Sequence, residues 1–438
     1  MEESKKEYGL CTAIAMIVGV VIGSGIFFKS DDILRATNGS IALGVLVFIL
    51  AAISIIFGSL SIAELASRSS KAGGVITYAE ASSPVVACGF GWFQCFLYFP
   101  TLIAVVAWVA GIYTCILFGI EATLLTEILI GLGYIIVLFG TNILSAKLSG
   151  FFQTASTIIK LIPLLVIAFA GLMVGDPSYI RTTDVTQMQS LGWLSAIAPI
   201  AFSFDGWIAA TSIGHQIKDS TKNLPLALII SPIFILIIYI LYFVGISTLV
   251  GPEQVMANGD AHVDMAAHVI FGELGAKLIL IFVVISVVGT VNGLIMAASR
   301  LPYALALRGM FPKSETFSRI NEKGLPLPSI ICSFGLIMFW LFVHFNTMAI
   351  GIDISEISVG LSYLGYIYLY FQVIKLRQQG EITSNIKGYV IPIIATLGSL
   401  IILSGSIGND LFLLYFGICA AVVFSAMAFY KKKISNPN

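Results

Sequence analysis

Two short stretches and one lysine carry the chemistry legible in this sequence. The stretches are Ile22-Gly23-Ser24-Gly25-Ile26-Phe27 and Phe202-Ser203-Phe204-Asp205-Gly206-Trp207, each inside a long apolar run. Gly, Ser and Asp weaken a helix, and Pro199, about one turn before the second stretch, frees a carbonyl. A broken helix exposes N–H groups on one half and carbonyls on the other. The N–H end favours a carboxylate and the carbonyl end an ammonium. An α-amino acid carries both groups on one carbon, so it can bridge two such breaks without any charged side chain. The N–H groups of Ser24, Gly25 and Ile26 are expected to hold the carboxylate. The carbonyls of Val21, Ile22, Phe202 and Ser203 are expected to take the ammonium. Each such bond nets only about 1 kcal/mol against water, so several are needed, and release stays feasible. Taken singly, Gly-Ser-Gly also suits close helix packing, and an Asp near a helix end can simply face water. It is the pairing of the two that points to a site.

The lysine is Lys160, within the otherwise uncharged run Leu148–Gly175. Twelve uncharged residues of that run precede it, about 18 Å of helix. That is too deep for easy snorkelling to an interface, and a charge at membrane depth needs a partner or a polar cavity. In sodium-coupled carriers built on broken helices, a cation is held by unwound backbone. A lysine ammonium could bridge spans 1 and 8 in its place. A titrating group for proton coupling is the alternative, since desolvation lowers a buried lysine's pKa and a carboxylate raises it.

The elements that must position these groups are membrane helices. The chain has 438 residues, 58% hydrophobic and 11% charged, against about 25% charged in soluble domains. The apolar runs are too long, and apolar on too many sides, for barrel strands. Twelve spans are expected. Span 1 is Leu10–Arg35, span 2 Ile41–Ala66, span 3 Val85–Phe118 and span 4 Ala122–Asn142. Span 5 is Phe151–Val174, span 6 Leu191–His215, span 7 Leu226–Leu249 and span 8 Leu274–Leu307. Spans 9 to 12 centre on Ile337, Gly365, Thr396 and Gly417. Of the 23 Lys and Arg, eighteen fall on the side of the N-terminus and one, Lys160, inside; Lys29, Arg35, Arg181 and Lys277 lie on the far side. The positive-inside rule puts both termini in the cytoplasm. No removable signal peptide is read at the charged N-terminus.

Other chemistry is not supported. There is no phosphate-binding Gly-rich loop, no metal-spaced His pair and no Ser–His–Asp set, so neither an enzyme nor a cofactor is expected. His215 and His344 stand alone. Asp264, His262 and His268 read as a short amphipathic surface helix rather than a metal site. The six cysteines, Cys11, Cys88, Cys95, Cys115, Cys332 and Cys419, read as small buried hydrophobes. Trp92, Tyr98 and Trp108 read as core or belt residues. Net charge is zero and no basic patch argues for nucleic acid. The spans lack the polar stripe of a channel, and the loops are too short for a sensor's output domain.

The two broken stretches, together with Ser156-Thr-Ile-Ile-Lys-Leu-Ile-Pro163 and Val291-Asn-Gly-Leu-Ile-Met-Ala-Ala-Ser-Arg300, resemble the amino acid–polyamine–organocation transporters. The resemblance covers nearly the whole chain and is nearest to the bacterial L-type branch, which includes alanine–serine–cysteine and serine/threonine exchangers. It implies an all-α polytopic membrane protein of twelve transmembrane helices. The implied fold is a LeuT-like five-plus-five inverted repeat with discontinuous helices 1 and 6. The division would be residues 1–174 for helices 1–5, an external loop 175–190, 191–379 for helices 6–10, 388–430 for helices 11–12, and a cytoplasmic tail 431–438. The resemblance further implies sodium-independent one-for-one exchange of neutral L-amino acids in the bacterial cytoplasmic membrane. Family substrate contacts match Gly23, Ser24, Gly25, Phe202, Ser203 and Phe204, with Phe202 as the closing aromatic. The family lysine matches Lys160 and its span-8 asparagine matches Asn292. A span-7 tyrosine that supports the unwound span 6 matches Tyr242, with Tyr239 a close competitor. Residues 118–125 lack the external cysteine that links eukaryotic relatives to a glycoprotein subunit, so no such partner is expected. Asp205 stands where members with large substrates have glycine. It points to small substrates such as alanine, serine, cysteine and threonine, and it keeps a cationic amino acid or polyamine as the alternative.

Overall fold

A computed structural model describes residues 9–69, 73–144, 146–180, 191–208, 210–211, 217–322 and 324–435. Every regular element among them is a helix. Eleven helices are long and apolar enough to cross a membrane, against twelve expected. The remaining expected span, span 6, is represented by the shorter apolar segment Gly192–Ser203. It is short because the helix stops at the Ser-Phe-Asp-Gly stretch. The residues leading to His215, numbers 212–216, lie outside the described set, as do Arg181 with loop residues 181–190 and tail residues 436–438.

Span 3, Pro84–Phe118, is the most enclosed helix. Spans 4, 8, 9 and 10 pack around it. Span 7, Ser220–Val250, lies against spans 1, 2 and 5. Lipid is as apolar as leucine, so helices here associate through close packing rather than hydrophobic expulsion. Spans 5 and 7 illustrate it: a Cβ on Gly171 would stand 2.1 Å from the Gly245 carbonyl oxygen. Large apolar side chains that remain exposed, such as Phe151, Met173, Leu274 and Leu413, face outward.

Span 1 breaks. Its first helix, Leu10–Val21, ends where Ile22 turns to ψ 88°, and a second short helix starts only at Gly25. Span 6 is a 3-10 turn, Leu191–Ala196, then a helix, Ile197–Ser203. Past it the backbone tightens into turns and Gly206 takes φ +90°, where a side chain would be strained.

Three further interruptions differ from the sequence expectation. Span 5 is two helices, Ala146–Ile159 and Leu161–Val174, parted at Lys160. Pro163 lacks the N–H that would bond the Ile159 carbonyl, which accounts for the discontinuity. Span 3 contains a π-helical turn, Gln94–Tyr98. The helix of span 8 begins at His262, in the segment that follows span 7, kinks at Gly272 and stops at Ala298, with Leu301–Leu307 separate. Its Asp264 and His268 sit 3.3 Å apart on consecutive turns. Among the cysteines, Cys11 is exposed and Cys332 half-buried rather than buried.

Candidate functional site

The two breaks meet. A Cβ on Gly25 would stand 2.5 Å from the Cα of Ser203, and one on Gly23 would stand 2.6 Å from Thr290 Oγ1 of span 8. Only glycine allows span 1 to touch both neighbours this closely. Among the described residues, the N–H groups of Ser24, Gly25 and Ile26 have no backbone acceptor. On the opposite side the Tyr239 hydroxyl donates to the Val21 carbonyl at 2.9 Å and the Ser203 carbonyl at 2.8 Å. One phenol therefore ties both interrupted helices to span 7. The sequence favoured Tyr242 for this position. Tyr242 instead packs edge-on against Phe27, and its hydroxyl has no hydrogen-bond partner among the described residues. The two tyrosines differ by about a turn, and the helix's rotation decides which faces the breaks.

Lys160 is wholly buried. Its ammonium donates to the Gly19 carbonyl of span 1 and, at 3.3 Å, to Thr290 Oγ1 of span 8. Two close approaches seat span 5 between those helices. Gly19 faces Thr157, and Gly289 faces Ser156, each with no room for a Cβ. No carboxylate pairs with Lys160 among the described residues, so a carbonyl and a hydroxyl stabilise it.

A small cavity lies at the junction. Of the residues expected to bind substrate, Val21, Gly23, Ser24, Gly25, Phe202 and Asp205 line it. Ile22, Ile26, Ser203 and Phe204 do not, being packed into the helix contacts behind it. Lining residues not anticipated from sequence are Val20, Leu102, Val106, Gly206, Thr290 and Leu294. Leu102–Val106 and Thr290–Leu294 are each four residues apart, one face of span 3 and one of span 8. That spacing was visible, but nothing distinguished it from ordinary packing. Tyr98, one turn before Leu102, donates to Asp205 Oδ2 at 2.5 Å. It was read as core; its hydroxyl ties span 3 to the broken span 6.

Beyond the cavity, the far end of span 1 meets span 10. The Lys29 ammonium lies 3.0 Å from Asp353 Oδ2 and 2.8 Å from Glu356 Oε1, and 5.6 Å above the Phe202 ring. Lys29 is 2% exposed. Burial works to raise the Asp353 carboxyl, yet the neighbouring Lys29 charge holds it below the ordinary carboxylate range.

Residues 8–431 match the model of the amino acid permease family. The chain belongs to that family. It is 30% identical to the serine/threonine exchanger SteT of Bacillus subtilis (strain 168), over 93% of this chain and 92% of that protein. It is 26% identical to the b(0,+)-type amino acid transporter 1 of Mus musculus, over 97% and 87%. It is 28% identical to the cystine/glutamate transporter of Homo sapiens, over 83% and 74%. The protein is a multi-pass membrane amino acid transporter, and the family's members are carriers rather than enzymes.

In the permease, Asn292 lies away from the cavity. It accepts from Asn142 Nδ2 at 3.2 Å and donates to Gln153 Oε1 at 3.1 Å. It thus joins spans 4, 5 and 8. Trp92 and Trp108 are likewise pinned elsewhere, to the Met310 carbonyl and the Glu127 carboxylate, each at 2.8 Å. Glu64 pairs with Arg68 and Lys387 at the end of span 2, at 3.1 Å each, and does not line the cavity.

Proposed function

We propose that the permease is a sodium-independent exchanger of small neutral L-amino acids such as alanine, serine, cysteine and threonine. The substrate's carboxylate sits on the N–H groups of Ser24 and Gly25, and its ammonium among the carbonyls of Val21 and Phe202, with Phe202 closing over it; Ile22, Ile26 and Ser203 lie behind the cavity and back these contacts. The observation that carries the reading is the Lys160 ammonium lodged between Gly19 and Thr290. A permanent positive charge there does the tying work that a sodium ion does in coupled carriers. The small cavity favours small side chains, and the serine/threonine exchanger of Bacillus subtilis supports the same class.

Exchange follows from polar bookkeeping. Without substrate, the unmet peptide groups at the two breaks stay desolvated in the closed core, which costs free energy. A bound zwitterion satisfies them and lets the bundle rock. The Lys29–Asp353–Glu356 cluster closes the outer end above Phe202 in this cycle. Spans 1–5 (residues 1–174) and 6–10 (residues 191–379) act as the two repeats, and both termini lie in the cytoplasm of a bacterium. The carrier works without a glycoprotein subunit.

The test is uptake into proteoliposomes preloaded with serine, lysine or nothing, with and without sodium and a pH gradient. Uptake that requires internal serine, and ignores sodium and pH, is expected. Net efflux as fast as counterflow sinks exchange. The absence of a carboxylate beside Lys160 among the described residues favours one second reading, a lysine that gives up its proton during transport. A dependence on the pH gradient would select it.

A further inference from the structure

We infer that Asp205 reads the substrate's side chain, accepting a hydrogen bond from a β-hydroxyl, so that serine and threonine are preferred over carbon isosteres. The inference rests on the amino acid site proposed above. Four observations carry it. Tyr98 fixes one carboxylate oxygen of Asp205, at 2.5 Å. The other, Oδ1, is buried and has no hydrogen-bond donor among the described residues, the Gly206 N–H approaching the carboxylate without reaching hydrogen-bond geometry. Asp205 lines the same cavity as Ser24, Gly25 and Phe202. And the Lys160 ammonium is committed to Gly19 and Thr290, so it does not neutralise Asp205.

A buried carboxylate oxygen without a donor is costly, and the cost falls when a ligand supplies one. The substrate offers three groups. Its carboxylate is excluded by like charge. Its α-ammonium belongs where the breaks of spans 1 and 6 touch, at Gly25 and Ser203. Asp205 lies two residues past that contact and is drawn toward span 3 by Tyr98. The side chain is the group that points there. An ammonium on that side chain carries three donors, and each one left unmet in a dry pocket is costly. On the span-3 and span-8 wall Leu102, Val106 and Leu294 accept nothing, and the Thr290 hydroxyl is already engaged with Lys160 and Ser286. A hydroxyl needs a single acceptor, and Oδ1 provides one. Tyr98 then acts as a positioning residue, and the π-helical turn Gln94–Tyr98 is the local distortion at whose end it stands; such turns are common at functional sites.

The experiment compares serine with 2-aminobutyrate, which replaces the hydroxyl by a methyl group, and with 2,3-diaminopropionate, which replaces it by an ammonium. Each competes against labelled alanine counterflow in proteoliposomes. Ratios are taken within each variant, so a general loss of transport cancels. In the natural protein serine is expected to compete about tenfold better than 2-aminobutyrate, the size of a hydrogen bond to a charged group. Asp205→Ala is expected to bring the ratio to about twofold or less, and Tyr98→Phe to lower it by about threefold through a looser carboxylate. If Asp205→Ala does not fold, Asp205→Asn keeps the shape with a weaker acceptor and is expected to lower the ratio about threefold. A ratio unchanged in these variants overturns the inference. So does an equal loss for serine and 2-aminobutyrate, which would give Asp205 to the α-ammonium. A natural protein that prefers 2,3-diaminopropionate overturns it too, in favour of charge pairing. If the natural protein moves no amino acid of this class, the proposed substrate class fails instead.

Discussion

The Tyr239 hydroxyl lies 2.8 Å from the Ser203 carbonyl at the end of the span-6 helix. Its second acceptor is the Val21 carbonyl, where span 1 stops. Two carbonyls released by two breaks thus share one donor in a dry interior, where unmet polar groups are costly. Tyr239→Phe removes that donor and nothing else. It is expected to cut exchange by about tenfold or more, since losing the one proton they share leaves both buried carbonyls without a donor, a cost of about 1–3 kcal/mol. Tyr242→Phe is the control, because the Tyr242 hydroxyl has no partner to lose. It should change exchange by less than about twofold. Equal effects of the two would mean that span 7 is rotated from the arrangement described here.

Lys160 separates charge from packing in a similar way. Its stem fills space between spans 1 and 8, and its ammonium serves Gly19 and Thr290. Lys160→Met keeps much of the stem and deletes the charge; Lys160→Ala deletes both. Both are expected to cut transport by at least about tenfold. Only Lys160→Ala should also lower thermal stability in detergent markedly, by the roughly 2 kcal/mol or more that a buried truncation costs. Normal exchange rates in both variants would remove Lys160 from the transport cycle.

The sequence made the breaks readable because Gly, Ser, Asp and Pro are poor helix residues in apolar runs. It made Lys160 readable because a charge at that depth is rare. It left the choice between Tyr239 and Tyr242 open, since three positions on a helix are almost one turn and no pattern fixes the rotation. Leu102 and Val106 were invisible as cavity residues because apolar side chains in span 3 look alike whether they face a ligand or a neighbour. Lys29 was legible only as a charge on the outer side. Its partners Asp353 and Glu356 lie 324 and 327 residues away, and nothing local announces them. The interruption at Lys160 was missed although Pro163 was in plain view; the lysine's charge drew the reading away from the backbone.

Gly25 tests the contact between the two broken helices. The atom facing it is a backbone Cα of Ser203, 2.5 Å from where a Cβ would stand. Backbone cannot swing aside as a flexible side chain can, so Gly25→Ala must push spans 1 and 6 apart. Exchange is expected to fall by more than about tenfold, with substrate affinity weakened in parallel. Gly140 of span 4 has open space in the same direction. Gly140→Ala should therefore leave both quantities within about twofold, and the pair distinguishes a local clash from a general effect of adding a methyl group to a membrane helix.

Lys29 offers the remaining test, where the far end of span 1 meets span 10. Its ammonium is nearly inaccessible and faces Asp353 and Glu356 together. Removing one member of a buried ionic cluster leaves the others uncompensated, a loss of about 3–5 kcal/mol in comparable cases. Lys29→Ala should thus destabilise the contact between spans 1 and 10 far more than the loss of one pair implies. Lys29→Arg keeps the charge and should retain most exchange. In Lys29→Ala, adding Asp353→Asn and Glu356→Gln removes the two buried negative charges and leaves only the half-exposed Asp32, 3.5 Å from the ammonium in the natural protein, so stability should return in part even though no ion pair is restored. That recovery is the decisive reading. A triple variant no more stable than Lys29→Ala would show that the cluster acts through packing of the lysine stem, and the outer closure would then need another cause.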